Sequence, residues 1–348
     1  MTAQKRRKRR RRRRKRRLRV GRLLLLLGGC IAIVMLTIGA CFLLFPREEE
    51  TIDVPPAPKS EIHWFLRRFE TNRPYEINDH ILDAITSEYA VIMDDTTGRI
   101  IDGKNSNQRM YPASMTKMLT AIVVIENMPG LDAPIEITWD MLAGLYEANA
   151  SVVGYQIGDT PTMRDILYGI ALPSGADACN AAAITVAGSI DAFVSMMNDK
   201  AQQLGMTNSH FCNTTGLHED DHYTTAEDLA VLLRYCNNNE IFTEVFSTPH
   251  YDATPVASHP YGISMDSTVF KSESIYGIEI PGLVGGKTGF TYEAGKCLAT
   301  WDNVEGQTII IITGYAGYDM YGIDHYIDHG FISSQVSVDL RKQACYQP

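Results

Sequence analysis

The run Thr308-Ile309-Ile310-Ile311-Ile312-Thr313 restricts this chain more than any other stretch. Six β-branched residues in a row have no polar face, which is the pattern of a central strand covered by other layers. A central strand needs neighbours on both sides. Lys296 to Trp301 and Leu283 to Gly289 read as two further strands close before it. Near the other end of the domain, Tyr89-Ala90-Val91-Ile92-Met93, a turn at Asp94 to Gly98 and a restart at Arg99-Ile100-Ile101 read as a hairpin. Between these ends the periodicity is helical: Met163 to Ala171, the alanine-rich Asp177 to Gly188, Ile190 to Leu204, and Thr224 to about Tyr235, with a loop at Cys212 to Leu217. The expectation is an α+β fold, an antiparallel sheet built from both ends of the domain and flanked by helices.

Charge divides the chain sharply. Of 32 Lys and Arg, 15 lie in residues 1–22, where there is no Asp or Glu, so 17 basic residues face 41 acidic ones in the remainder. An acidic body of this kind repels nucleic acid and favours solubility. The basic head has an uninterrupted run from Lys5 to Arg17, which alone would suit nucleic acid. It is followed, however, by 23 uncharged residues from Leu23 to Phe45 and then by Glu48-Glu49-Glu50. At about 1.5 Å per residue such a run crosses a bilayer core of about 30 Å, and the positive-inside rule places the head in the cytoplasm. The expected organisation is therefore a cytoplasmic Arg-rich tail (1–22), an uncleaved transmembrane signal anchor (23–45), an extracytoplasmic linker (46–74) and one folded domain (75–348). The apolar run is longer than the about 7 to 15 residues of a cleavable signal, and no small-x-small site closes it. Five cysteines follow the span without a pairing pattern, which does not read as a disulfide framework, and several sit in apolar contexts that suit buried free thiols.

Chemistry is suggested first by Tyr111-Pro112-Ala113-Ser114-Met115-Thr116-Lys117, which runs into the apolar segment Met118 to Ile125. A helix starting near Ser114 puts Ser114 and Lys117 on one face and presents unpaired N–H groups beside the hydroxyl. Lysine serves as a base only when its pKa falls from about 10.4 toward 7 or 8, through burial or a second cation. Lys287-Thr288-Gly289 supplies such a cation; on a strand Lys287 and Gly289 face one way and Thr288 the other, and glycines at 285, 286 and 289 allow close approach of a ligand backbone. Ser174, just before a helix, suits either a cap or a site.

Taken together, Ser114-x-x-Lys117, Ser174-Gly175-Ala176 and Lys287-Thr288-Gly289 resemble the three motifs of the penicillin-recognising serine enzymes. Their flanks are similar to one branch, the low-molecular-mass penicillin-binding proteins that are serine-type D-alanyl-D-alanine carboxypeptidases. The similar segments include Asp177-Ala178-Cys179-Asn180, Asn213-x-x-Gly216-Leu217, His222-Tyr223-Thr224-Thr225-Ala226-x-Asp228-Leu229-Ala230 and Ala294-Gly295-x-Cys297-Leu298. The resemblance implies a β-lactamase/transpeptidase-like fold, no cofactor or metal, and a peptidoglycan stem peptide or a β-lactam antibiotic as partner. It implies that Ser114 is acylated, Lys117 takes its proton, Ser174 passes a proton to the leaving amine, Lys287 and Thr288 bind the terminal carboxylate beside Gly289, and the N–H groups of Ser114 and Phe290 form the oxyanion hole.

The position after Ser174-Gly175 is usually asparagine in that family, and here it is Ala176. Losing one buried polar contact costs about 1 to 3 kcal/mol, or roughly tenfold to a hundredfold in rate. Asn180, one turn later, is a candidate substitute. Three rivals stay open: a catalytically impaired penicillin-binding scaffold, a β-lactamase, although no Glu-x-x-Leu-Asn occurs between the second and third motifs, and a metal peptidase using His325 and His329. The plainer reading of the last pair, with Asp324 and Asp328, is a solvated polar helix face.

Overall fold

The computed structural model describes residues 81–346 apart from Met320; the basic tail, the apolar run 23–45 and the linker 46–74 lie outside them. The elements in chain order are β1 (Tyr89–Asp94), β2 (Ile100–Lys104), α1 (Thr116–Asn127), α2 (Trp139–Leu142), α3 (Met163–Ala171), α4 (Ala176–Ala187), α5 (Ile190–Gln203), α6 (Ala226–Cys236) and α7 (Glu240–Phe246). They continue with a small hairpin of β3 (His250–Asp252) and β4 (Ser264–Asp266), then α8 (Lys271–Ser274), β5 (Leu283–Thr291), β6 (Gly295–Val304), β7 (Gln307–Gly314) and α9 (Asp324–Tyr346). Among the described residues no single helix is long and apolar enough to cross a membrane.

The main sheet has the order β2-β1-β7-β6-β5 and is antiparallel throughout. The isoleucine run of β7 is its central strand, pairing Met93 with Ile310 and Val91 with Ile312 on one side and Trp301 with Ile310 on the other. Side chains alternate across a strand, so a run without polar positions requires both faces to be covered. They are. Ile310 and Ile312 join Val91, Met93 and the large helical core, while Ile309 and Ile311 join Ala90, Ile92, Ile332 and Val336 under α9.

Helix α1 explains the layer on the first face. Every residue from Thr116 to Ile125 is buried, the mark of a helix surrounded on all sides, and it is packed by α3, α4, α5 and α6. Each fully buried Leu, Ile or Met contributes about 1.5 to 3 kcal/mol, so this helix anchors whatever its first turn carries. The entry of α3 is fixed by a reciprocal cap, in which Thr162 accepts from the Asp165 N–H and Asp165 accepts from the Thr162 N–H. Helix α4 stops at Gly188, whose φ of 82° only glycine adopts without strain.

The other face corrects one expectation. His325, Asp328 and His329 are not solvated; they are 3%, 3% and 0% exposed, and α9 presses them onto the sheet. Asp328 accepts from the Thr86 and Ser87 N–H groups and from the Ser87 hydroxyl, and the two ring nitrogens of His329 lie 3.0 and 2.9 Å from the hydroxyls of Thr300 and Thr313. Asp328 and His329 are thus hydrogen-bonded across a buried seam, while His325 is buried with its Nδ1 unpartnered. Neither α7 nor the β3–β4 hairpin was expected from periodicity.

Candidate active site

Ser114 sits in a 3-10 turn, Ala113–Met115, whose end is the start of α1. Ala113 has φ of 45°, an unfavourable value for a side-chain-bearing residue, and it is held there by close neighbours. A Cβ on Gly216 would fall 1.8 Å from the Ala113 carbonyl oxygen, and one on Gly289 would fall 3.1 Å from the Ser114 nitrogen. Two glycines from separate segments thus let a loop and a strand both press on the nucleophile turn. Cys179, Cys236 and Cys297 are buried free thiols, as expected.

Lys117, one turn after Ser114, is 3% exposed while Ser114 itself is half-buried and reachable. Its Nζ lies 2.9 Å from Ser114 Oγ and donates to the Thr215 carbonyl at 2.6 Å. Burial lowers its pKa, only partly opposed by Cys179 and Asp177. With one hydrogen committed to Thr215, the nitrogen lone pair of the neutral amine is free to point at the serine hydroxyl.

Ser174 does not cap α4; the cap position is Gly175, and no side chain caps there. Instead Ser174 has φ of 65°, and its buried Oγ has no hydrogen-bond partner. A strained residue with an orphan hydroxyl indicates a group set for something not yet present. Beyond it, Ala176 donates its N–H to the Ser151 carbonyl. Asp177 accepts from the N–H groups of Val153, Gly154 and Tyr155, which ties the 151–155 segment to the start of α4. Asn180 does not take the place of the missing amide: it donates to the Met141 carbonyl and accepts from the Thr214 hydroxyl.

Lys287, Thr288, Gly289 and Phe290 lie on β5, the edge strand of the sheet. Lys287 is fully buried and its Nζ donates to the Thr288 carbonyl at 3.0 Å. Burial, followed by the nearby Lys117, holds its pKa well below the ordinary range. The influence runs from Lys117 to Lys287; for Lys117 itself burial, not a second cation, lowers the pKa. The Thr288 hydroxyl is 2.6 Å from that of Thr268.

Sequence reasoning missed the part played by the 212–222 loop, although it singled out Asn213, Gly216 and His222 by resemblance. The Asn213 side-chain oxygen accepts from the N–H groups of Thr215 and Gly216, which shapes the turn that offers the Thr215 carbonyl. His222 Nδ1 accepts from the Cys212 N–H at 3.1 Å, leaving its proton on Nε2, 2.8 Å from Thr116 Oγ1. Burial pushes this imidazole down to about 4, so it stays neutral. Both ring nitrogens of His329 face threonine hydroxyls, and among the described residues no group of three or more His, Cys, Asp or Glu is arranged to hold a metal ion.

These features match known proteins. The family model for D-alanyl-D-alanine carboxypeptidase matches residues 76–313. A D-alanyl-D-alanine carboxypeptidase of Bacillus subtilis, DacF, is 35% identical over 60% of this chain and 52% of its own length. The Mycobacterium tuberculosis enzyme DacB2 is 31% identical over 65% of this chain and 73% of its own. The crystal structure of the Streptomyces K15 DD-transpeptidase superposes with a TM-score of 0.65 at 28% identity, covering 72% of this chain and 97% of that one.

Proposed function

The chain belongs to the D-alanyl-D-alanine carboxypeptidase family, and from that premise we propose that it removes the terminal D-alanine of peptidoglycan stem peptides through an acyl-enzyme on Ser114. The observation that carries this reading is the 2.9 Å contact between Ser114 and a buried, pKa-lowered Lys117. Lys117 takes the hydroxyl proton as Ser114 Oγ bonds to the carbonyl carbon between the two D-alanines. The oxyanion is received by the N–H groups of Ser114 and Phe290, each worth about 2.7 to 4 kcal/mol in a comparable acyl transfer. The C–N bond then breaks, and the departing amine takes its proton by way of Ser174, whose orphan hydroxyl suits that relay. Water next attacks the ester, frees the shortened peptide and restores Ser114.

The terminal carboxylate pairs with Lys287 and Thr288. Bringing a carboxylate to the buried ammonium favours its charged form, so recognition of the D-alanine carboxylate and ionisation of Lys287 support each other. A β-lactam is attacked in the same way and deacylates slowly. Ala176 favours a second reading, a scaffold acylated by penicillin without efficient turnover. Against it stands the Thr215 carbonyl, which gives Lys117 the acceptor that an asparagine amide at 176 would otherwise offer. For the residues preceding the domain, the basic head and the run 23–45 support a single-pass anchor with the catalytic domain outside the membrane.

The test is the intact mass of the full chain before and after benzylpenicillin, beside a Ser114→Ala control, together with release of D-alanine from a D-Ala-D-Ala peptide. A single adduct on the parent alone, with D-alanine released, is expected. An adduct without release selects the scaffold; no adduct overturns the assignment of Ser114.

A further inference from the structure

Thr268 belongs to no helix or strand, yet it joins three segments on which the site depends. The backbone on either side of it is anchored: the Ser267 N–H donates to the Pro249 carbonyl, and Val269 is fully buried in one cluster with Ile280, Leu298 and Tyr326. Its own polar groups go three ways. The Thr268 N–H donates at 3.2 Å to the carbonyl of Leu172, the residue ahead of Pro173-Ser174. Its carbonyl accepts from the Tyr326 hydroxyl of α9 at 2.6 Å, and burial pushes that phenol up, so it stays a proton donor. Its hydroxyl lies 2.6 Å from that of Thr288 on β5. One residue thus ties the second motif, the third motif and α9 to a single point.

The direction of the hydroxyl contact decides what Thr288 can offer a ligand. Thr268 and Thr288 are both half-buried, so their hydroxyls stand at the edge of the site rather than sealed beneath it. A hydroxyl has one hydrogen and two lone pairs. If Thr288 spent its hydrogen on Thr268, its lone pairs would face an incoming carboxylate, and negative would meet negative. If Thr268 donates instead, the Thr288 hydrogen is free for the carboxylate, and the bond it accepts polarises it further. A carboxylate only accepts, so its arrival selects the second order. Donation then runs from Thr268 to Thr288 to the carboxylate.

We propose that Thr268 is a positioning residue for carboxylate recognition, donating to Thr288 Oγ1 and thereby aiming the Thr288 hydrogen at the terminal carboxylate of the substrate. The identity of that substrate rests on the carboxypeptidase reading; the order of donation rests on the contacts of Thr268. Since the Thr268 N–H also holds Leu172, the same residue keeps the carboxylate site in register with Ser174.

The test compares acylation of the full chain by benzylpenicillin, whose carboxylate takes the place of the substrate's, with acylation by its methyl ester, which lacks that charge. Rates are read from intact mass, and the parent is expected to react faster with the acid. Thr268→Val keeps the shape and removes the hydroxyl. The acid-over-ester ratio should then fall about tenfold, the scale of one hydrogen bond to a charged group. Thr268→Ser should restore the ratio, with folding of each variant followed by the thermal midpoint. An equal loss with both compounds would leave Thr268 a structural role alone and overturn the proposal, as would an unchanged ratio in Thr268→Val. Release of D-alanine from a D-Ala-D-Ala peptide is scored separately. A parent that acylates without release fails the carboxypeptidase reading, while the ratio still decides on Thr268. A parent acylated by neither compound overturns the proposal.

Discussion

The two faces of the sheet bury charge-capable side chains to opposite ends. On the catalytic side Lys117 and Lys287 are buried close together, Ala113 and Ser174 are held at positive φ, and Ser174 Oγ is left without a partner. On the α9 side Asp328 accepts three hydrogen bonds, and His329 has a threonine hydroxyl at each nitrogen. The difference is one of place as much as of pairing: His325 Nδ1 and one oxygen of Asp302 also lack a partner on the α9 side, but they lie under a helix, whereas Ser174 lies beside the nucleophile turn. The positive φ of Ala113 and Ser174 costs local stability, which the fully buried α1 offsets.

The sharpest way to break this comparison is Lys117→Met, which removes the base and keeps the bulk. D-alanine release and penicillin acylation should fall by about a thousandfold, within the range for a lost general base. Because the folded pKa of Lys117 is lowered, the parent's acylation rate should rise with pH through that lowered value, well before an ordinary lysine deprotonates. A variant that acylates at the parent rate would sink the assignment of the base. Next in size is Gly216→Ala. Its φ is 80° and the added methyl would meet the Ala113 carbonyl, so the nucleophile turn must shift. About a hundredfold loss of acylation is expected, the scale of a displacement near 1 Å. An unaffected rate would mean the turn is not pinned by that loop.

The seam gives a milder, pH-dependent signature. Burial holds Asp302 up to about 7, against an ordinary 3.8, while Ser333 donates to its carboxyl. The folded state thus keeps a proton that the unfolded chain releases. The stabilisation is fully present below the unfolded pKa and is lost as pH rises from about 4 to about 7. Denaturant midpoints should fall across that window in the parent and flatten in Asp302→Asn; parallel slopes would refute the assignment. The smallest effect is expected from Ala176→Asn. Since Thr215 already accepts from Lys117, turnover should rise by no more than about threefold, less than the tenfold or more expected from the sequence. A tenfold gain would show that the loop carbonyl is a poor substitute.

What could be read from the sequence follows from how local each signal is. Ser114 and Lys117 share one helical turn, and Lys287, Thr288 and Gly289 share one strand, so residue type and spacing alone carry them. The isoleucines of β7 likewise announce two covered faces. Thr215 was out of reach because its contribution is a backbone carbonyl, available to any residue there. The strain at Ala113 and Ser174 was hidden because neither is a glycine or asparagine, the usual marks of positive φ. The burial of α9 was hidden for another reason: Asp328 and His329 look soluble until their partners, contributed by distant strands and by Thr86 and Ser87, are known.

The place of β7 between β1 and β6 also sets an order of events. The first strand of the domain pairs on its inner side with the last, so β1 waits for a neighbour that lies near the far end of the chain, and the seam beneath α9 closes later still. Contacts of such long sequence separation form slowly, because the loop must be closed before they return any stability. The catalytic domain is therefore committed late: a chain emerging from synthesis has all three of its motifs exposed before it has a sheet to hold them.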